Sequence, residues 1–186
     1  KIRLDIENIT NYEDKQKKGF LDLLSKNKDL LLNYQINDNS LNFFTKEKKV
    51  LDGFFDFKPF YLKANINYEG ISTKDLFSNE SILIDLVKTD ILNNVNLNVN
   101  IDLNIKDITN INELNNLKLK LGLEQGNITF SKSKIMWKND LQIMLKEGLI
   151  NYDEDEISLI GKLVIDAKNI NNFYKSFQIK KVYRKE

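Results

Sequence analysis

The sequence predicts a mainly β protein: a long, twisted and curled antiparallel sheet, a groove-like meander, with one amphipathic helix and short helical turns. Three observations predict it. From Asn94 to Asp107 the chain reads NVNLNVNIDLNIKD, with aliphatic side chains at every second position, the period of a strand that has one wet face. The same alternation returns in several other stretches. Helical spacing, by contrast, is concentrated in one segment, STKDLFSNESILIDLVKTDILNN, from Ser72 to Asn94.

Taken in order, the N-terminal third offers strands around Ile2 to Ile6, Leu30 to Ile36 and Val50 to Phe57. In FYLKANINY, Phe60, Leu62, Ala64, Ile66 and Tyr68 alternate with Tyr61, Lys63, Asn65 and Asn67. The helix is expected from about Asn79 to Leu92, with Ser72 and Ser78 as candidate N-caps. Then comes the long strand, carrying Val95, Leu97, Val99, Ile101, Leu103 and Ile105. At about 3.3 Å per residue its twelve positions extend roughly 40 Å, which matches the roughly 40 Å diameter of a compact globule of this length.

One short turn of helix is expected at Asn110 to Asn116, and an antiparallel meander from Leu117 onward. Leu117, Leu119, Leu121 and Leu123 form its first apolar row, and Ile128 and Phe130 follow the Glu124-Gln125-Gly126-Asn127 turn. Trp137 reads as a packing residue on a strand. After Lys138-Asn139-Asp140 come Leu141, Ile143 and Leu145, then a turn at Asn151 to Asp155, then Ile157, Leu159, Gly161, Leu163 and Ile165. A last helical turn is expected at Asn171 to Phe177.

With 186 residues and 41% hydrophobic content, the chain can bury a core, and it is expected to be one β-rich domain over residues 1–186 or a segment of a larger repetitive β-groove protein. Basic residues number 28 and acidic ones 27, so nothing electrostatic favours a nucleic-acid partner. Cysteine and histidine are both absent, which removes thiolate chemistry and the commonest proton shuttle and metal ligand. The acidic run from Asp153 to Glu156 lacks the spacing of a calcium loop and reads as a solvated turn. Serines lack a base, and no carboxylate pair stands out. The expectation is therefore a protein without catalytic residues, metal or cofactor.

Heavy use of lysine, asparagine and isoleucine follows adenine- and thymine-rich codons, so the alternation carries the argument and the asparagines do not. No run reaches the 18 or so apolar residues of a membrane span. The chain opens on Lys1 and ends on Arg184-Lys185-Glu186, and is expected to be a piece whose anchor lies outside it.

The stretch from LDGFFDFKPFYLKANINYEG through ILNNVNLNVNIDLNIKDI to LKLGLEQGNITFSKSKIMWKNDLQIMLKEGLINYDEDEISLIGKLVIDAKNINNFYKSFQI resembles the AsmA-like and TamB-like proteins of Gram-negative bacteria. The likeness lies in the order of elements over about Leu51 to Ile179. It implies a periplasmic protein, held at the inner membrane by a segment outside this chain, whose sheet curls into an apolar groove. It also implies a role in outer-membrane homeostasis, in lipid binding or lipid transport, with phospholipid acyl chains as the cargo and other envelope proteins as possible partners. The expected lining is the β-strand rows already named: Val95 to Ile105, Leu117 to Leu123, Ile128, Phe130, Leu141, Ile143 and Leu145. The alternative is a structural or protein-binding β-sandwich closed on its own core.

Overall fold

The computed structural model describes residues 2–11, 16–25, 28–45, 50–74, 95–153 and 156–184. Among the described residues twelve strands form one sheet: β1 Ile2–Asn11, β2 Gln16–Ser25, β3 Lys28–Ile36, β4 Ser40–Thr45, β5 Leu51–Phe57, β6 Phe60–Ile71, β7 Asn98–Ile108, β8 Leu114–Glu124, β9 Asn127–Phe130, β10 Ser133–Trp137, β11 Leu141–Asp153 and β12 Glu156–Ala167. A helix, α1 (Ile170–Ser176), and a 3-10 turn at Lys181–Tyr183 follow.

The strands lie side by side in chain order. Strands β9 and β10 share one column between β8 and β11. Both keep a single register against β11, with Phe130 opposite Gly148 and Ser133 opposite Leu145, so they are one strand interrupted at Ser131-Lys132, where Lys132 takes a φ of 54°. A sheet this wide has to twist and curl. Bulges add to the bend: Glu147, at φ 54°, and Gly148 together oppose Gly161, where the β11–β12 register shifts between Lys146 and Leu149.

All neighbours pair antiparallel except β6 and β7, which run parallel from Tyr61 opposite Asn98 to Ile71 opposite Ile108. The connection between them therefore joins opposite ends of the sheet. The expected helix at Asn79 to Leu92 falls in this connection, outside the described residues.

Side chains sort by register. Leu21 faces Leu32, Tyr34 faces Phe43, Leu41 faces Phe55, Leu62 faces Val99, Ile101 faces Leu121, and Ile143 faces Ile165. Facing residues share a side of the sheet, so one apolar face runs without a break from β2 to β12.

Four expectations are corrected. The long strand begins at Asn98 and not Asn94, because Val95 and Asn96 still lie in a turn. Its eleven residues extend roughly 36 Å. The stretch from Asn110 to Asn116 is not helical: Ile111 N–H bonds Ile108 C=O at 3.0 Å, Leu114 N–H bonds Ile111 C=O at 2.9 Å, and β8 starts at Leu114. Packing decides this, since Ile111 and Leu114 both join the core around Ile105 and Ile108. At the other corner, β11 continues through Asn151, Tyr152 and Asp153, because the ladder with β12 persists as far as Asp153 opposite Glu156. Finally, β2 and β4 are two strands that the alternation in the N-terminal third did not mark out.

Candidate functional site: the apolar face of the sheet

Alternation in β6 to β8 places two kinds of chemistry back to back. On the polar face, amides and charges pair across strands: Asn65 Nδ2 donates to Asp52 Oδ2 at 2.9 Å, Asn104 Nδ2 to Asn67 Oδ1 at 3.0 Å, and Asn100 Nδ2 to the Tyr61 hydroxyl at 3.1 Å. Lys106 Nζ lies 3.1 Å from Glu69 Oε2. That hydrogen bond, then the charges of Glu69 and Asp107, hold the Lys106 ammonium above its ordinary pKa. A hollow of about 460 Å³ beside β6 to β8 is lined by the polar Asn67, Glu69, Asn104, Lys106, Asn116 and Lys118 together with Val50, Tyr68, Ile105 and Leu117. Asn65, Asn100 and Asn104 of the wet face thus each donate a hydrogen bond across strands, to a carboxylate, a phenol and an amide.

On the apolar face, two clusters form. Leu103, Ile105 and Ile108 gather Ile66, Ile71, Leu117, Leu119 and Ile135 around them. Val99, Leu123 and Ile128 gather Leu62, Leu97, Ile101, Leu121, Phe130 and Ile150. Ile105 and Leu123 are 1% and 2% exposed. At about 25 cal/mol per Å², burying a side chain of this size stabilises the fold by roughly 1.5–3 kcal/mol.

All of the expected lining residues except Val95 come together on this face. Val99, Leu103, Ile105, Leu123, Ile128 and Leu141 are buried, whereas Leu97, Ile101, Leu117, Leu119, Leu121, Phe130, Ile143 and Leu145 are half-buried. Val95 sits in the turn before β7 and is 65% exposed. Burial falls off toward the last strand: on β12, Leu159, Leu163 and Ile165 belong to the same face, and all three are exposed.

The two ends of the face differ. Toward Ala167 and Leu141, α1 covers the end of β10 and β11, with the Phe177 ring 5.6 Å from Trp137 and 5.1 Å from Phe173. Asn169 caps α1, accepting from Asn171 and Asn172 N–H. Asn172 Nδ2 donates to Asp140 Oδ2 at 3.1 Å, and Lys168 N–H to Asp140 C=O at 2.9 Å, which tie the helix to the β10–β11 turn. At the opposite end, Phe55 lies 5.3 Å from Phe57 and 5.8 Å from Phe60.

Three contributors escaped sequence reasoning. Phe43 and Phe55 carry the face into β4 and β5, where Gly53 leaves room for the Phe43 ring. The period-two pattern Leu41, Phe43 and Leu51, Gly53, Phe55, Phe57 was there to be found. The aromatic cover over Trp137 had no such signal, since it joins residues forty apart. Among the described residues no three acidic side chains cluster as a metal site, and no helix is long and apolar enough to cross a membrane. No family model, no curated protein and no solved structure matches this chain.

Proposed function

We propose that the apolar face is a lipid-shielding surface, and that the chain is a non-enzymatic lipid-binding or lipid-transport segment of an envelope protein. One observation carries this reading: the apolar face is unbroken across the sheet but grades from enclosed at β7–β8 to open at β12. A sixteen-carbon acyl chain in water costs about 12 kcal/mol at roughly 0.8 kcal/mol per methylene, so a path for it has to be apolar along its length while the headgroup stays wet. Half-buried rows at Leu97, Ile101, Leu117, Leu119 and Leu121 supply wall, and the exposed row on β12 supplies a side where hydrocarbon can reach it.

The resemblance to AsmA-like and TamB-like proteins supports the same reading and adds a location. The protein acts in the periplasm, anchored at the inner membrane through a segment outside this chain, and contributes to outer-membrane homeostasis. Phospholipid acyl chains are the cargo. Native mass spectrometry of detergent-free protein expressed in the periplasm tests this. Co-purifying phospholipid is expected, and its loss in Leu163→Asp and Ile165→Asp at unchanged folding supports the open row as the contact. Protein that carries no lipid, and takes none up from phosphatidylethanolamine vesicles, overturns the reading.

The second reading, a β domain closed on its own core, draws on the near-complete burial of Ile105, Leu123 and Leu141. It predicts no lipid in the same experiment.

A further inference from the structure

Strand β12 combines three features. Among the described strands it is one of the two at the edges of the sheet, paired on one side with β11. It exposes large apolar side chains on both faces: Leu163 at 61% and Ile165 on one, Ile160 at 59% on the other. Its Lys162 faces Lys146 of β11, a like-charge pairing that disfavours this position, and among the described residues Lys162 has no ion pair. Native sheets usually protect a free edge with charge, proline or a cover; on β12 Lys162 and Asp166 supply charge on either side of the apolar stretch Leu163 to Ile165.

We propose that β12 is a self-pairing edge, joining two copies of this chain antiparallel across a twofold axis at Val164. The hydrogen-bond phase allows it. Lys168 N–H already bonds Asp140 of the β10–β11 turn, and in an antiparallel ladder alternate residues turn both backbone groups to the same side. Leu163, Ile165 and Ala167 therefore point theirs outward. An axis at Val164 sets Leu163 opposite Ile165 of the second copy, twice, and Lys162 opposite Asp166, twice. Each lysine that faces Lys146 within its own chain thus gains a carboxylate across the axis. Moving the axis by one residue sets Lys162 against Val164 or against Lys168 and loses the charge match. The twofold stands perpendicular to the sheet, so both apolar faces lie on the same side. This inference does not depend on lipid binding.

Sedimentation equilibrium of the chain without detergent or lipid gives the first test, with a dimer expected. Lys162→Asp and Asp166→Lys each place like charges in register and should yield monomer with unchanged circular dichroism. Lys162→Asp combined with Asp166→Lys should restore the dimer. Because the chain has no cysteine, Val164→Cys gives an independent reading: directly opposite, unbonded strand positions sit about 4.5 Å apart at Cα, within reach of a disulfide. Mild oxidation should cross-link Val164→Cys and leave Ile160→Cys, on the same face of the same strand, uncross-linked. A wild-type monomer overturns the proposal. So does a dimer indifferent to both single charge changes, or equal cross-linking at both positions, since either means association through another surface.

Discussion

Strands β7 and β12 begin from similar instructions and end in opposite environments. NVNIDLNIKDI alternates strictly, and its apolar residues Val99, Leu103 and Ile105 are buried. EISLIGKLVIDA alternates less strictly, with Ile160 and Val164 on the side where β7 carries asparagine, and its apolar residues Leu159, Leu163 and Ile165 stay exposed. The difference is position. Strand β7 has β6 and β8 on its flanks and core residues from both, whereas β12, among the described strands, has only β11 as a neighbour. Apolar content alone thus says little about burial at the edge of an open sheet.

Four substitutions press on this contrast. The largest effect is expected from Ile105→Asp, which leaves a charge unpaired at a site that is 1% exposed. It should cost about 4 kcal/mol or more and abolish the cooperative urea transition. Ile165→Asp, with the same chemistry on β12, should keep that transition. Next comes truncation: Leu123→Ala should cost about 2–5 kcal/mol, while Leu163→Ala should stay within roughly 0.5 kcal/mol, both read from urea midpoints. If the two truncations cost the same, the contrast between centre and edge is broken.

The third effect is smaller and concerns backbone. A Cβ on Gly161 would lie 3.0 Å from Gly148 Cα and 2.9 Å from Leu145 Cδ1, so Gly161→Ala should cost about 1–3 kcal/mol by overpacking the bulge. On β12 the sensitive feature is thus the close approach of its backbone to β11, and the exposed side chains matter less to folding.

The smallest effect lies on the wet face of β7. The Lys106 pKa is raised in the fold by its hydrogen bond to Glu69 and by the nearby charges. Its contribution is therefore complete below the unfolded lysine pKa of about 10.4 and is lost as pH rises through the higher folded value. Because the group is exposed, the change should be slight. Urea midpoints of the wild type and Glu69→Gln, compared across that range, should converge at high pH.

Much of the fold was legible because period two is a property of a single strand. The alternation of Leu117 to Leu123 or of Phe60 to Tyr68 needs no knowledge of a partner, and α1 was visible in its own spacing. The segments that went astray were those where pairing overrode local pattern. Leu114 to Asn116 was drawn into strand, with Leu114 facing Trp137, and Asn151 to Asp153 by the ladder with β12. Strand β2, QKKGFLDLLS, was hidden because Gly19 and Ser25 interrupt its apolar row.

By itself, then, the sequence determined which residues are extended and which side of each strand is greasy, because both follow from backbone geometry and side-chain spacing within a few residues. The tertiary structure alone decided that β6 and β7 run parallel, that β9 and β10 share one column, and that Ile105 is sealed while Leu163 is open. Those outcomes depend on which strand lies next to which, a contact between distant residues that no local period encodes.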